Sequence, residues 1–328
     1  MTKSIALVGC GRWGSNHLNV LQRLRAEGLI GRIVVCDVDP SKLSGLEVDA
    51  SYTSFGEVLR HESLDAVAVV TPPDSHLSLM EQALEHGLPV LVEKPLSDNH
   101  DALEHSLATL HKDAQIMVGY LLRHHPGMHA LRTHIDAGLV GKVVSVTYVR
   151  TTRRNRPKGA DPVKTLAVHG LDIVAWLLSS PLMEMTTNTA SKYEDWAEIR
   201  LETKQGATGV IEVGWNWEDE GRQIIVVGET GSQIVFDFGT GELTSVNLLE
   251  NFGNLSSLFG PETVPYKREA LEEEWRAFLE RNRSSKPYIF PSLNTLLDQS
   301  AWIEKTVDAN IRNPWCPLRD FKNPFRFG

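Results

Sequence analysis

The first third of the chain alternates short, almost continuously apolar runs with amphipathic stretches. The apolar runs predict five strands at residues 4–9, 33–37, 66–71, 90–93 and 116–119. Apolar positions three and four apart predict helices at residues 14–27, 55–60, 75–85 and 99–110. Strands that are apolar on both faces are typical of a parallel sheet covered by helices on each side. The alternation therefore predicts an α/β fold with a doubly wound parallel sheet.

The pattern changes after residue 122, where the predicted strands become longer and alternate between apolar and polar positions. These strands lie at residues 142–151, 196–203, 207–215, 223–227 and 233–237, with helices at 126–137, 169–178, 269–281 and 293–309. Turns at Gly206 and Gly231 are typical of antiparallel neighbours. The helix at 269–281 is amphipathic, and its glutamates predict a solvated acidic face. We predict two domains, residues 1–122 and residues 123–328, the second an α+β domain with a large, mostly antiparallel sheet.

Composition narrows the class of protein. The chain has 328 residues, 41% of them hydrophobic and 23% charged, which is enough apolar material for a sizeable core. No run approaches the length of a membrane span, and the net charge of −9 argues against nucleic acid and anionic lipid as partners. The cysteines Cys10, Cys36 and Cys316 show no metal-ligand spacing. We expect reduced thiols, no metal and a cytoplasmic location.

A glycine motif opens the chain. Gly9, Gly11 and Gly14 fit G-x-G-x-x-G directly after the first predicted strand and at the start of the first helix. The bare motif is weak, and its position gives it weight. Gly9 permits a tight turn, Gly11 lets the backbone approach a pyrophosphate, and Gly14 allows close packing of helix on strand. The helix N-terminus supplies N–H donors to the anion, so a dinucleotide cofactor is predicted.

Asp37 bears on the choice of cofactor. It ends the second predicted strand, 23 positions after Gly14 (37 minus 14), and about 20 is typical of the acid that binds the ribose hydroxyls. A carboxylate repels a 2′-phosphate, so NAD is favoured over NADP, although Arg12 could reach such a phosphate. The alternative is that Asp37 only caps the turn before Pro40.

Further motifs follow in an order that resembles a known family. They are Gly9-x-Gly11-x-x-Gly14-x-x-His17, Thr71-Pro72 with His76, Glu93-Lys94-Pro95, Gly119-Tyr120 with Arg123 and Pro126, Gly138 to Gly141 before a strand, and His169-x-x-Asp172. Their order and spacing resemble the Gfo/Idh/MocA oxidoreductases over nearly the whole chain. The resemblance implies a Rossmann domain that binds NAD, and a second domain that binds substrate and forms a homodimer or homotetramer. It also implies hydride transfer between a nicotinamide and a secondary alcohol of a sugar, polyol or sugar nucleotide.

The motifs and the resemblance together predict the site residues. Those expected at the cofactor are Gly9, Gly11, Arg12, Trp13, Gly14, Asp37, Thr71, Pro72, His76, Glu93 and Lys94. Those expected at the substrate are Lys94, Arg123, Arg153, Arg154, Thr165, His169 and Asp172.

Two of these residues are predicted to be catalytic. Lys94 follows a parallel strand at its carboxyl end, where such sheets bind ligands, and it can stabilise a developing alkoxide. Glu93 could orient Lys94, and the alternative for Lys94 is an ordinary surface lysine. The resemblance implies an acid/base role for His169, whose ordinary pKa of about 6.5 suits it. Without the resemblance, a histidine on this apolar helix is more often structural.

Thr165 departs from the family pattern. Many members carry an aspartate four residues before the histidine, so a carboxylate that could bind substrate or tune nearby pKa values is missing here. The threonine hydroxyl could still bind a substrate hydroxyl.

A basic stretch precedes these residues, and its members are Arg150, Arg153, Arg154, Arg156 and Lys158. It could capture an anionic substrate through bidentate contacts, or it could equally be a solvated loop or a subunit contact. The run LAVHGLDI resembles that of sugar-nucleotide 3-dehydrogenases, which favours a nucleotide sugar.

The sequence is therefore interpreted as that of an NAD-dependent dehydrogenase acting on a sugar, with a nucleotide sugar as the favoured substrate. One alternative is an NAD-binding sensor or repressor without turnover, which the missing aspartate would suit. Others are a ketoreductase and an NAD-assisted glycosidase of the same fold, since the same hydride-transfer residues serve them all.

Overall fold

Two seven-stranded sheets carry the fold of the computed structural model. It describes residues 2–192, 194–246, 269–284 and 286–308, except for the side chains of residues 186–192 and of Asp308. The aromatic tail after residue 308 and Cys316 lie outside the described residues.

The first sheet is parallel throughout. Its strands are β1 (Lys3–Val8), β2 (Ile30–Cys36), β3 (Ala50–Tyr52), β4 (Ala66–Val69), β5 (Val90–Val92), β6 (Gln115–Val118) and β14 (Tyr288–Phe290), in the order β14-β6-β5-β4-β1-β2-β3. Its crossover helices are α1 (Arg12–Ala26), α2 (Phe55–His61), α3 (His76–Glu85) and α4 (His100–Ala108). β4 and β5 are buried at every position, as helices on both faces require. The predicted doubly wound sheet is confirmed.

Two strands of this sheet escape the hydrophobic pattern. β3 and β14 have three residues each, too few to show a period. β14 and the helix α7 (Ala270–Arg281) return to the first sheet from the far end of the chain. Trp275 and Phe278 of α7 pack in one core with Leu21 of α1. The structure thus places this segment against the first domain, whereas the sequence assigned it to the second; the division at residue 122 stays a prediction.

The second sheet covers the other half of the structure. Its strands are β7 (Val143–Thr151), β8 (Met185–Lys192), β9 (Trp196–Thr203), β10 (Thr208–Gly214), β11 (Gly221–Gly228), β12 (Gln233–Asp237) and β13 (Glu242–Val246), in the order β13-β12-β11-β7-β10-β9-β8. Only the pair β7–β10 is parallel, so the predicted mostly antiparallel sheet is confirmed. β8 and β13 are additions to the prediction.

Three helices pack on this sheet. They are α5 (Pro126–Asp136), α6 (Val168–Leu178) and α8 (Leu293–Asp308). α6 packs on β7 and β10. α8 contacts α6 and also α4, which belongs to the first domain. One apolar core therefore runs from the first sheet into the second and joins them, apart from the core in which α7 packs with α1. Within the described ranges, no helix is long and apolar enough to cross a membrane.

Candidate active site

The glycine loop has the backbone that a pyrophosphate site needs. Gly9 has φ +101°, and a Cβ there would lie 2.5 Å from the carbonyl oxygen of Val70. A Cβ on Gly14 would lie 2.0 Å from the carbonyl oxygen of Gly9, so helix and turn touch. Above Gly11 there is open space, and no side chain caps α1, which leaves its first N–H groups available to an anion. These features fit a bound dinucleotide. Arg12 and Trp13, the first residues of α1, are exposed beside the loop.

Asp37 lies at the end of β2, where an adenosine ribose is bound in such folds. It is buried, and its Oδ2 accepts a hydrogen bond from N–H of Cys10 at 2.8 Å while Oδ1 accepts one from N–H of Asp39 at 2.9 Å. Each oxygen keeps a second lone pair for a ribose hydroxyl. Lys42 Nζ lies 3.6 Å from Oδ1, so a cation and an acid share this end of the site.

Thr71, Pro72 and His76 lie past the end of β4. The buried His76 places Nε2 at 2.7 Å from the carbonyl oxygen of Thr71 and Nδ1 at 2.9 Å from that of Pro95. The ring therefore clamps the loop after β4 to the loop after β5, whose Lys94–Pro95 peptide bond is cis.

Glu93, directly after β5, is the centre of a hydrogen-bonded network. The side chains of Trp13, His17 and Trp275 belong to it and are called the relay with Glu93. Its Oε1 accepts hydrogen bonds from Trp13 Nε1 at 2.6 Å and from His17 Nε2 at 3.1 Å, and Oε2 accepts one from N–H of Lys94 at 3.1 Å. Trp275 of α7 donates from Nε1 to Nδ1 of His17 at 3.1 Å, which leaves the histidine proton on Nε2. Burial opposes ionisation, yet the hydrogen bonds from His17 and Trp13 and the charge of Lys94 hold the pKa of Glu93 below its ordinary value.

Glu274 of α7 is the unexpected neighbour of this relay. It is fully buried, and within the described part of the chain neither carboxyl oxygen has a hydrogen-bond partner. Burial, and then the charge of Glu93, raise its pKa well above the ordinary value. The expectation that the glutamates of α7 form a solvated face is wrong at this residue, because positions 271, 274, 275 and 278 share the face that packs inward. That spacing was visible in the sequence and could have found both Glu274 and Trp275.

Lys94 and Thr165 meet across the cleft. Nζ of Lys94 donates to the backbone carbonyl of Thr165 at 3.0 Å. Thr165 belongs to the π-helical turn Val163–Ala167 that leads into α6. Its hydroxyl donates to the carbonyl oxygen of Asp161, just before that turn, at 2.6 Å. Burial lowers the pKa of Lys94, and the charge of Glu93 partly offsets this.

His169 stands one residue into α6. Its Nδ1 is buried without a hydrogen-bond partner, and the ring is half-buried. Burial, followed by the charges of Lys94 and Arg150, lowers its pKa well below the ordinary value. A neutral imidazole beside an ammonium can accept a proton.

Asp172 and Arg123 are both at the site, engaged with each other. Arg123 donates from Nε to Oδ2 at 2.6 Å and from Nη2 to Oδ1 at 2.8 Å, and Gln299 of α8 donates from Nε2 to Oδ1. Asp172 is 1% exposed. These contacts tie α6 and α8 to the turn that follows β6, and no sequence motif pointed to Gln299.

Two members of the basic stretch have partners elsewhere in the chain. Arg156 forms ion pairs with Asp195 at 2.9 Å and Glu194 at 3.7 Å, and Arg153 donates from Nε to the carbonyl oxygen of Glu218. Arg154 is exposed. No group of three or more metal-binding side chains occurs among the residues described.

Two family models match the chain. One, described as "Oxidoreductase family, NAD-binding Rossmann fold", matches residues 3–120, and the other, the Gfo/Idh/MocA C-terminal domain, matches residues 128–234. The chain belongs to the Gfo/Idh/MocA family. It is an NAD-binding oxidoreductase of that family, as the motifs predicted.

Relatives of known name lie within the same family. Inositol 2-dehydrogenase 1 of Saccharopolyspora erythraea is 31% identical over 237 residues, which cover 65% of this chain and 67% of that one. The scyllo-inositol dehydrogenase of Lactobacillus casei, solved with NAD(H) and scyllo-inositol, has a TM-score of 0.75 at 17% identity and covers 94% and 97% of the two chains. The UDP-N-acetylglucosamine 3-dehydrogenase of Acidithiobacillus ferrooxidans has a TM-score of 0.74 at 19% identity, covering 94% and 98%. The last two similarities show the shared fold.

Proposed function

We propose that this chain oxidises a secondary alcohol of an uncharged sugar or cyclic polyol and passes the hydride to NAD. The observation that carries the proposal is that Lys94, beyond the carboxyl end of β5, is hydrogen bonded to the turn before α6, and that its charge acts on a neutral His169 at the start of that helix. The named relatives that act on inositols support the substrate class.

His169 takes the proton of the substrate hydroxyl in this proposal. Its lowered pKa keeps the ring neutral near neutral pH, so it is ready as a base. When bound, NAD supplies the acceptor for the hydride. The glycine loop, Asp37, and the loops that carry Thr71 and Glu93 are the parts that would hold it.

Lys94 holds the substrate oxygen. One of its three N–H donors is given to the carbonyl of Thr165, which fixes the ammonium at the domain boundary and leaves two donors. An ammonium in a water-poor cleft stabilises the alkoxide that forms as the proton leaves. The proton that His169 has taken then passes to solvent.

The engagement of Arg156 and Arg153 within the chain favours a neutral substrate over a nucleotide sugar. A diphosphate would need free guanidinium groups, yet Arg156 is paired with two carboxylates and Arg153 is bound to a carbonyl. The guanidinium of Arg123 is occupied by Asp172 of α6. A polyol needs only hydrogen bonds, which Lys94 and His169 can supply.

The test is NADH formation by the purified protein with inositols, free sugars and nucleotide sugars. Turnover with neutral polyols or sugars, unchanged in Arg153→Ala and Arg154→Ala variants, supports the proposal. Turnover restricted to nucleotide sugars and lost in those variants would replace it with the anionic substrate. If no compound of the panel gives NADH although NAD still binds, the result would favour a sensor that binds the cofactor without turnover.

A further inference from the structure

Two buried carboxyl groups, Glu93 after β5 and Glu274 in α7, interact electrostatically and are called the carboxyl pair here. Glu93 receives three N–H donors, from Trp13, His17 and Lys94. Glu274, which precedes Trp275 in α7, is fully buried, and neither of its oxygens has a hydrogen-bond partner among the residues that the structure describes. One member of the pair is thus solvated by the protein as an anion, and the other is not.

The charged groups around Glu274 come from three elements. At the end of β5 are Glu93 and Lys94, whose ammonium is directed to Thr165 across the cleft. α1 presents His17, which is bonded at both ring nitrogens.

The turn Leu121–His124 packs against α7 and carries Arg123 and His124. Arg123 is held by Asp172, and burial lowers the pKa of His124 to about 3. Among the described residues, Glu93 is therefore the charge that acts on Glu274.

An isolated carboxylate in such surroundings is costly, so Glu274 keeps its proton. The pair carries one negative charge, and the ionisation of Glu274 would make it two. The oxidised nicotinamide ring carries a positive charge that the reduced ring lacks, and all other charges of the two cofactor forms are the same.

We propose that Glu274 is a positioning residue for cofactor charge: it holds a proton beside Glu93, and the loss of this proton strengthens binding of NAD⁺ relative to NADH. Glu93 follows β5 at its carboxyl end, where such sheets bind ligands, and accepts a hydrogen bond from N–H of Lys94, so the extra charge lies beside the residue proposed to hold the substrate oxygen, against which the nicotinamide reacts. By reciprocity, NAD⁺ makes the proton of Glu274 easier to lose and NADH does not. This inference rests on the NAD-binding fold and not on the substrate proposed above.

The test measures dissociation constants of NAD⁺ and NADH, without any alcohol substrate, from about pH 6 to about pH 9. In the wild type, the preference for NAD⁺ rises with pH, by at most about tenfold per unit, the limit for one linked proton. Loss of positive charge from Lys94 would act in the same direction, so the comparison with Glu274→Gln isolates the carboxyl. The glutamine variant is expected to show a flatter dependence, and Glu280→Gln, an exposed site on the same helix, to match the wild type.

A second readout counts protons. Calorimetry of NAD⁺ binding in two buffers of different ionisation enthalpy is expected to show proton release in the wild type and less release in Glu274→Gln. Equal pH slopes and equal proton release in the two proteins would overturn the proposal.

If Glu274→Gln does not fold, the infrared carbonyl band of a protonated carboxylic acid, measured in the wild type, tests the proposal instead. The band must weaken when NAD⁺ binds, and a band that is absent or unchanged overturns the proposal. None of these measurements needs an alcohol substrate, so they test this inference even if no compound of the substrate panel is turned over.

Discussion

Nζ of Lys94 donates to the backbone carbonyl of Thr165 at 3.0 Å, and this contact joins the end of β5 to the turn before α6. The contact uses the backbone, so it does not depend on which side chain stands at position 165. The threonine hydroxyl is already bonded to Asp161. The substitution that departs from the family pattern therefore leaves Lys94 held in place.

The Lys94→Ala variant separates chemistry from cofactor binding. Loss of the ammonium removes the stabilisation of the alkoxide, so turnover is expected to fall by about 10²–10⁴-fold. Affinity for NAD is expected to stay near that of the wild type, because the glycine loop and Asp37 are untouched. Steady-state rates and NAD titration check both, with Lys158→Ala as an exposed control. Turnover equal to that of the wild type would remove Lys94 from the mechanism.

The pH profile reports both proposed catalytic groups. The pKa of His169 is well below its ordinary value, so the base stays deprotonated as pH falls through about 6.5. The pKa of Lys94 is also lowered, which places the loss of its proton below about 10.5. We expect kcat/KM to stay flat from about pH 6 to about pH 8 and to decline on the alkaline side earlier than an exposed lysine would allow. An acid limb centred at or above 6.5 would contradict the assignment of His169 as the base.

The predicted strands and helices of the two sheets follow from hydrophobic period, because long buried elements leave a clear pattern. Gly9 and Lys94 could be assigned because their roles depend on local backbone and on the end of one strand. Glu274 and Gln299 could not be placed beside Glu93 and Asp172, since each partner is more than 100 residues away. Such contacts depend on how α7 and α8 return to the first domain, which local pattern does not encode.

Replacement of Asp172 is expected to lower the stability of the protein rather than its affinity for substrate. Asp172→Asn would leave the largely buried guanidinium of Arg123 without its bidentate partner, at a cost of about 3–5 kcal/mol in the free energy of unfolding. Urea unfolding measures this cost. Asp136→Asn, at a more exposed Arg–Asp pair in α5, is the control, for which about 1 kcal/mol or less is expected. A variant of normal stability with a raised KM would instead place Asp172 at the substrate, as the sequence predicted.

Trp275 is expected to support the cofactor site through His17. Trp275→Phe keeps an aromatic ring but removes the N–H that Nδ1 of His17 accepts, leaving a buried nitrogen unpaired at a cost of about 1–3 kcal/mol. His17 then holds Glu93 less firmly, so NAD binding should weaken as well. Trp302→Phe in α8 makes the same change at a buried tryptophan that is not part of the relay. If both variants lose stability and neither loses NAD affinity, the relay is structural only.

Glu274 should make the protein less stable as pH rises. Its pKa is raised in the folded state and close to 4.5 in the unfolded chain, so above about 4.5 the unfolded chain releases a proton that the folded protein retains. The free energy of unfolding therefore falls by up to about 1.4 kcal/mol per pH unit until the folded pKa is reached. Glu274→Gln lacks this term and is expected to be more stable than the wild type near neutral pH, with an advantage that grows from about pH 5 to about pH 7. Urea unfolding across that range, with Glu280→Gln as the exposed control, measures the difference. An advantage that is absent, or that shrinks as pH rises, would mean that Glu274 ionises in the folded protein and that its charge is compensated.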